Sequence, residues 1–339
     1  MNADYLDPSY EVEEKPKVIV IAGPTASGKT ALGLALALAL DGEIINADSM
    51  QVYRGMDVGT AKPTVEERQG IPHHLLDVVD PDEEFNAAIY RSIALPLVKD
   101  IVSRKKTCFV VGGTGLYIKG LLKGLLEVPR CQPKLRELLK REWELYGPRR
   151  LHERLRRLDP ESANAIHPND RVRIIRALEI FQLTKRRPSD MSREHSFKER
   201  PVNSLKFCVR VDREQLYRRI NERSVAMIEA GLVQETEELL NRGYSPDLKP
   251  MSAIGYRHAV RHLRGDWSLE EMISNLQRDT RRYAKRQLTW FGADPEIDWV
   301  GTEDLDLLLK KIRAFLGGKE RLSGSAWSLR GVRSTEVKR

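Results

Sequence analysis

The sequence predicts an α/β protein in which a P-loop-type parallel sheet is flanked by helices and carries an inserted all-helical domain. Three observations support this fold class. The apolar run VIVIA at residues 18–22 leads directly into the glycine-rich GPTASGKT at 23–30. Two more short apolar runs, at 43–49 and 107–115, recur at the spacing of strand–helix–strand units. Residues 129–204, in contrast, have helical apolar spacing and many arginines but no strand-like run.

The chain divides into five predicted segments along its 339 residues. Its length suggests about two domains. A β-like run at 205–211 restores the sheet after the helical region, and two further helices follow it, with Gly243 as a stop signal. The segments are a disordered N-terminus (1–16), the first part of the P-loop core (17–128), a helical basic insertion (129–204), the second part of the core (205–317) and a loose C-terminal tail (318–339).

Composition and the N-terminal segment predict the cellular environment. The first 16 residues are acidic and lack the basic, apolar, small-residue order of a secretory signal, so we expect a cytoplasmic protein. The longest apolar stretch, at 31–40, is shorter than the about 20 residues that span a bilayer, so we expect no membrane association. Cys108, Cys131 and Cys208 form no CxxC pair and predict neither a zinc site nor a disulfide. We also expect a monomer.

Basic residues are concentrated in the insertion. Residues 129–204 contain 19 Lys and Arg against 11 Asp and Glu, a surplus equal to the net charge of +8 of the whole chain. Such a segment is typical of a protein that binds a polyanion, because phosphate contacts release counterions. A solvated helical face rich in arginine is the alternative explanation.

The stretch GPTASGKT matches the phosphate-binding pattern G-x-x-x-x-G-K-[ST] at every fixed position, after a predicted strand and before a predicted helix. Backbone N–H groups and the helix N-terminus would cradle an anion there. Lys29 would neutralise the anion, and Thr30 would be a ligand for Mg²⁺. The predicted phosphate-binding residues are Gly23, Thr25, Ala26, Ser27, Gly28, Lys29 and Thr30.

Two polar residues follow predicted strands at the edge where a ligand would bind. Asp48 ends the run EIINAD, and Thr114 follows TCFVVGG. In doubly wound sheets the site lies outside the carboxyl ends of the strands, so both residues should face the phosphate loop. Asp48, with Ser49 and Gln51 beside it, suits a general base that acts on a positioned amine. It equally suits the N-terminal cap of a following helix, and spacing does not separate the two roles.

His73 and His74 are adjacent in the segment PHHLLD. Neighbouring side chains point apart on a helix or a strand, so we do not expect the two histidines to share a metal. The segment is predicted to be a structural loop near the site.

Seven motifs occur in a fixed order from about residue 18 to about residue 291: GPTASGKT, INADSMQVYRGMDVGTAKPT, PHHLLDVVDP, GGTGLYIKGLL, NDRVRIIRALEI, MSAIGYR and TRRYAKRQLTWF. In these motifs the chain resembles the tRNA dimethylallyltransferases (isopentenyl-diphosphate:tRNA transferases). The resemblance implies transfer of a dimethylallyl group from dimethylallyl diphosphate to N6 of the adenosine 3′ of the anticodon, with release of diphosphate. It also implies Mg²⁺ as cofactor and the anticodon stem-loop of tRNA as partner.

The resemblance assigns roles to individual residues. Asp48 matches the family's general base, Thr114 matches the residue that contacts the target base, and Arg223 matches an arginine that assists at the diphosphate. Arg218 and Arg219 lie close to Arg223 in sequence and compete with it for this last role.

Other motif positions are predicted to contact tRNA. The last motif alternates cations with aromatic residues, as a surface for stacked loop bases would, although a helix with aromatics in the core would look the same. Taken one at a time, the aromatics favour the core, and the basic stripe favours tRNA. The predicted tRNA-binding residues are Ser49, Met50, Gln51, Arg136, Val172, Arg173, Arg176, Gly255, Tyr256, Arg257, Arg281, Arg282, Lys285 and Arg286.

Two other functions use the same features. The first is an ATP-binding small-molecule kinase or ATPase that acts on or with RNA, but such enzymes have a second strand that ends in an acidic residue. Here TCFVVGG ends in glycines. The second is a non-catalytic RNA-binding protein, which would have no need of Lys29, Thr30, Asp48 and Thr114 together.

Overall fold

The core is built on a parallel sheet of six strands. The computed structural model describes residues 14–130, 132–195 and 198–317. Most of the predicted disordered N-terminus, the predicted C-terminal tail and Cys131 therefore lie outside the described residues. The strands are β1 (Lys17–Ala22), β2 (Gly42–Asn46), β3 (His73–His74), β4 (Thr107–Gly112), β5 (Asn203–Val209) and β6 (Ile297–Val300), in the spatial order β3-β2-β4-β1-β5-β6.

Helices surround the sheet and form the insertion. Within the described ranges, none of them is long and apolar enough to cross a membrane. They are α1 (Lys29–Ala39), α2 (Ala87–Ser103), α3 (Gly115–Lys123), α4 (Pro133–Leu158), α5 (Pro160–Ala165), α6 (Arg171–Thr184), α7 (Pro188–His195), α8 (Arg213–Glu229), α9 (Leu232–Asn241), α10 (Tyr256–Leu263), α11 (Leu269–Gly292) and α12 (Leu305–Leu316).

The sheet is buried on both faces, as the continuous apolar run of β1 predicts. Val18 and Val20 pack on the side of α2, α3 and α11. Ile19 and Ile21 point to the opposite face and pack against α1 and α12. The predicted α/β class with a P-loop-type parallel sheet is confirmed.

Helices α4 to α7 follow α3 in the chain and bury a core of their own. Leu151, Leu155, Ile174 and Leu178 are fully buried in it. Helix α4 is interrupted at Gly147, where φ is 75° and ψ is 174° and proline follows, so its two arginine-rich halves are separate helical segments. Strand β5 begins two residues before the predicted second part of the core.

One predicted loop is a strand. His73 and His74 form β3, which pairs with β2 at the edge of the sheet. The Nε2 atom of His74 lies 2.8 Å from Oε2 of Glu43. Because the strand has only two residues, it is too short to show the alternation by which strands are recognised.

Candidate active site

A cavity of about 350 Å³ lies between the P-loop, the segment that follows β2 and helices α8, α10 and α11. It is at the carboxyl ends of β2 and β4, where the doubly wound fold places its ligands. The residues that line it include Thr25, Ala26, Lys29, Thr30, Asp48, Ser49, Met50, Gln51, Arg223, Gly255, Arg257, Tyr283, Arg286 and Gln287.

The P-loop has the conformation of an anion cradle. Ala26 and Gly28 both have left-handed backbone angles, with φ of 61° and 89°. Gly28 is the N-cap of α1 and supplies no side-chain acceptor, so the first N–H groups of the helix are available to an anion. The side chain of Ser27 is fully buried, and a Cβ at Gly23 would lie 2.7 Å from its hydroxyl oxygen. Ser27 can therefore contact a ligand only through its backbone.

Lys29 and Thr30 begin α1 and both line the cavity. The ammonium group of Lys29 donates to the carbonyl oxygen of Pro24 at 3.3 Å. Burial lowers the pKa of Lys29 to about 8, an effect that the charge of Asp48 opposes and that of Arg223 reinforces. A bound anion would add to the charge of Asp48 in favouring the protonated form of Lys29.

Arg223 reaches the cavity from α8, whereas Arg218 and Arg219 do not line it. Burial lowers the pKa of Arg223, and the carboxylate of Asp48 opposes this shift. Asp48 thus interacts electrostatically with both Lys29 and Arg223. The structure brings the predicted base and the two predicted phosphate-binding cations into one cavity.

Asp48 does not cap a helix, because the residues after it form bends and turns. Its Oδ1 atom accepts a hydrogen bond from the amide of Met50 at 2.9 Å and so closes a turn. The alternative role as a helix cap is therefore wrong. The side chain of a helix cap also accepts a hydrogen bond from a backbone amide two or three residues later. The sequence around Asp48 therefore fits a cap and a turn equally well.

Thr114 supports the segment that contains Asp48. Its amide donates to the carbonyl of Ala47 at 3.0 Å, and its hydroxyl oxygen accepts from the amide of Ser49 at 3.0 Å. Its side chain also forms a hydrogen bond with Tyr283, whose pKa is raised by burial. Thr114 is at the predicted position beyond β4, but unlike Asp48 and Ser49 it does not line the cavity.

Gln287 of α11 joins the P-loop to the residues after β4. Its Oε1 atom accepts from the amide of Thr25 and its Nε2 atom donates to the carbonyl of Gly113, both at 2.9 Å. A Cβ at Gly113 would lie 2.2 Å from Nε2 of Gln287, and one at Gly115 would lie 2.0 Å from Nε1 of Trp290. Gly113 and Gly115 of the GGTG motif are therefore glycines because α11 packs directly on them.

Gln287 is not among the residues predicted from the sequence, although a signal was present. Ala284, Gln287 and Phe291 share the helical spacing of a buried stripe, and a polar residue at such a position requires partners. In the same helix Phe291 is buried as predicted, but Trp290 is 46% exposed, so the assignment of that aromatic to the core is wrong.

The predicted tRNA contacts of the core fall into two groups. Arg282, Lys285 and Arg286 are exposed on α11, and Arg281 donates to Oδ1 of Asn221 at 2.6 Å. Tyr256, in contrast, is fully buried and could not contact a macromolecule without a rearrangement.

The predicted tRNA contacts of the insertion also differ in exposure. Val172 and Arg173 are exposed at the start of α6. Arg136 and Arg176 each lie 2.7 Å from Oε2 of Glu179, which is fully buried. These two arginines therefore hold the insertion together, whatever else they contact.

Family models match most of the chain. The model described as IPP transferase matches residues 51–294, and the model described as isopentenyl transferase matches residues 16–84. The chain belongs to the IPP transferase family. The predicted family and the prediction of an enzyme of this type are confirmed, and a kinase or ATPase is not favoured.

Individual relatives agree with this assignment over nearly their whole length. The tRNA dimethylallyltransferase 2 of Geotalea uraniireducens is 52% identical over 288 residues, which are 85% of this chain and 93% of the relative. The tRNA dimethylallyltransferase of Geobacter sulfurreducens is 52% identical over 286 residues, which are 84% of this chain and 92% of the relative.

Solved structures of similar proteins have the same fold. The tRNA isopentenylpyrophosphate transferase of Bacillus halodurans is 42% identical with a TM-score of 0.66, and the match covers 89% of this chain and 96% of that one. A eukaryotic dimethylallyltransferase described as acting on tRNA is 29% identical with a TM-score of 0.74, and the match covers 91% of this chain and 81% of that one.

The transferase offers few protein ligands for a metal. Within residues 14–130, 132–195 and 198–317, no group of three His, Cys, Asp or Glu residues is placed to hold an ion. The hydroxyl of Thr30, exposed at the mouth of the P-loop, is the predicted ligand. A single hydroxyl suits Mg²⁺, which binds few protein groups and is held mainly by substrate phosphates and water.

Proposed function

We propose that the transferase moves a dimethylallyl group from dimethylallyl diphosphate to N6 of the adenosine 3′ of the anticodon in tRNA. The observation that carries this proposal is the cavity in which Lys29, Thr30 and Arg223 lie together with Asp48. The cations of such a cavity suit a diphosphate, and the carboxylate suits a nucleophile that must lose a proton.

The cations of the cavity would stabilise the leaving group. As the bond between C1 of the prenyl group and the diphosphate oxygen breaks, negative charge grows on the diphosphate. The ammonium of Lys29, the guanidinium of Arg223 and the N–H groups at the start of α1 would stabilise that charge. Mg²⁺ held by Thr30 and the diphosphate would supply further positive charge when bound.

The carboxylate of Asp48 would activate the acceptor. A bond forms between N6 and C1 of the prenyl group, and one N6 proton must leave. Asp48 would accept this proton, and the turn closed by the Met50 amide holds its carboxylate in place. Thr114 keeps the adjacent Ser49 in position through the hydrogen bond to its amide.

Transfer requires the adenine to leave its stack in the anticodon loop, at a cost of a few kcal/mol. The exposed cations of α11 and Arg173 of the insertion would bind the tRNA phosphates around it. We further propose that the enzyme acts as a monomer in the cytoplasm, where its tRNA substrates are.

The proposal is tested by incubating the protein with bulk tRNA, Mg²⁺ and dimethylallyl diphosphate labelled in the prenyl group. We expect label in tRNA and, after digestion, in a prenylated adenosine. A parallel reaction contains ATP labelled in the γ-phosphate. Phosphate transfer or ATP hydrolysis without prenylation would contradict the proposal, as would tRNA binding without either reaction.

We expect the affinity for dimethylallyl diphosphate to be constant below pH 8 and to weaken above it, because the anion binds the protonated form of Lys29, whose pKa is about 8. Above that pH, binding must take up a proton, so the affinity should fall by up to about tenfold per pH unit. Calorimetric titration from pH 7 to 9.5 measures this. Lys29→Arg, which stays charged throughout, should give a flat profile. An equally steep decline in that variant would assign the titration to another group.

Arg173→Ala is expected to flatten the log–log dependence of tRNA affinity on salt by about 0.7 to 0.9, the effect of one lost phosphate contact. Its affinity for dimethylallyl diphosphate should be unchanged, because Arg173 does not line the cavity. Filter binding over a salt series measures the slope. The control is Arg313→Ala. Arg313 lies outside the insertion, on α12, which packs on the same face of the sheet as α1. An unchanged slope in Arg173→Ala would indicate that this basic surface of the insertion is solvated and does not bind tRNA phosphates.

A further inference from the structure

Glu235, on α9, holds a segment of chain about 175 residues away in sequence. Its Oε2 atom accepts hydrogen bonds from the amides of Asp57 and Val58, both at 2.8 Å. Its Oε1 atom accepts from the amide of Gly59 at 3.0 Å and from the hydroxyl of Tyr256 at 2.6 Å. Among the residues that the structure describes, no Lys or Arg forms an ion pair with Glu235. Its carboxylate is therefore bound by three backbone amides and one tyrosine hydroxyl.

We call residues 57–61 the rim segment, because Gly59, Thr60 and Ala61 line the cavity. The segment closes on itself through bonds from the Ala61 amide to the Val58 carbonyl, at 3.0 Å, and from the Thr60 hydroxyl to the Met56 carbonyl, at 2.7 Å. Glu235 fixes this compact turn to α9.

Tyr256 also packs against the rim segment. A Cβ at Gly59 would lie 2.5 Å from the Tyr256 ring, so the two approach as closely as a glycine permits. Gly255, beside Tyr256, has φ of 99° and also lines the cavity. Glu235 therefore joins two segments of the cavity wall, because its Oε1 atom accepts from both Gly59 and Tyr256.

The rim segment in turn orients Gln51, which lies three residues after Asp48. The side-chain amide of Gln51 donates to the carbonyls of Thr60 at 3.2 Å and Ala61 at 3.1 Å. Two carbonyl partners fix which end of the amide is the nitrogen, because a carbonyl accepts from N–H and not from oxygen. Gln51 lines the cavity, and the two bonds of its nitrogen fix the orientation of its acceptor oxygen, Oε1.

We propose that Glu235 is a positioning residue for the acceptor side of the reaction, and that it acts through the rim segment on the amide of Gln51. The inference rests on the proposed function, in which an adenine with N–H donors enters next to Asp48. An acceptor of fixed orientation beside the base would distinguish an adenine, whose N6 donates, from a base that presents a carbonyl there.

The test compares Glu235→Gln with wild type. An amide at this position keeps one acceptor oxygen but turns an NH₂ donor toward backbone N–H groups, so the rim segment loses its anchor. We expect kcat/KM for tRNA to fall about tenfold or more, as when a site's oriented polar contact is lost. The dissociation constant of dimethylallyl diphosphate, measured by calorimetry, should stay within about twofold, since the P-loop is untouched. Glu238→Gln, exposed on the same helix, is the matched control and should behave as wild type.

A double-substitution cycle with Gln51→Ala tests the route of the effect. If Glu235 acts through Gln51, Glu235→Gln should change kcat/KM less than about twofold in the Gln51→Ala background. Tyr256→Phe removes one of the four hydrogen bonds and keeps the buried ring, so it should give a smaller loss of the same kind.

Additive losses in the cycle, or wild-type kcat/KM in Glu235→Gln, would overturn the inference. Equal loss of diphosphate affinity and of kcat/KM in both Glu235→Gln and Tyr256→Phe would show a general structural role and would overturn it as well. Failure of the proposed function is a separate result, because wild type itself would then fail to prenylate tRNA.

Discussion

Asp48→Asn is expected to lower kcat for prenyl transfer by about 10² to 10⁴-fold, the usual contribution of a general base. Asn has nearly the same volume and retains an Oδ1 atom that can accept from the amide of Met50, so the turn should persist. What is lost is the ability to take the N6 proton. Single-turnover transfer at saturating concentrations of both substrates measures the effect directly.

Substrate binding separates this role from a structural one. Asp48→Asn should bind tRNA as wild type does. The decline in its diphosphate affinity should begin at lower pH, because Asp48 raises the pKa of Lys29 and the variant removes that charge. The control is Asp41→Asn, which changes an exposed residue directly before the start of β2. A near-normal single-turnover rate in Asp48→Asn would restrict Asp48 to closing its turn.

Lys29→Ala is expected to weaken dimethylallyl diphosphate binding and to slow transfer together, with kcat about 10² to 10³-fold lower. The ammonium group would contact the diphosphate before the bond breaks, and this contact would strengthen as charge develops on the leaving group. Its removal should therefore lower both the affinity for the diphosphate and the rate of transfer. Calorimetry gives the affinity, and single-turnover kinetics give the rate.

The comparison variant is Lys99→Ala, which removes an exposed lysine of α2. It should change neither quantity. Affinity for tRNA should also be unaffected in Lys29→Ala. A variant defective only toward tRNA would mean that the P-loop of this protein does not bind the diphosphate.

Sequence patterns predicted those parts of the site that are contiguous in the chain. The P-loop is one continuous run of residues, and its spacing indicates phosphate binding. Asp48 and Thr114 were predicted to lie at the site because both follow strands, and ligands bind at the carboxyl ends of the strands in this fold. The contacts that fix these parts to one another were not predicted. Gln287 meets Thr25 across 262 positions, and Glu235 meets Asp57 across 178 positions.

The reason is that such contacts depend on tertiary placement. A glutamate on an amphipathic helix looks the same in sequence whether its carboxylate faces water or three backbone amides. The same holds for Arg136 and Arg176, which composition counts as available cations although both pair with buried Glu179. Exposure of Trp290 likewise depends on which face of α11 meets α3, where the absence of a side chain at Gly115 admits the indole edge.

Helix α11 lies between the predicted tRNA-binding cations and the P-loop. Its exposed face presents Arg282, Lys285 and Arg286, and its buried face places Gln287 against the Thr25 amide of the P-loop. If tRNA binds the exposed face, a shift of the helix that it imposes would reach the P-loop through the hydrogen bond from the Thr25 amide to Gln287. Thermodynamic reciprocity would then require that diphosphate alter the affinity for tRNA by the same factor by which tRNA alters the affinity for diphosphate. We propose that the side-chain amide of Gln287 would couple the two binding equilibria in this way.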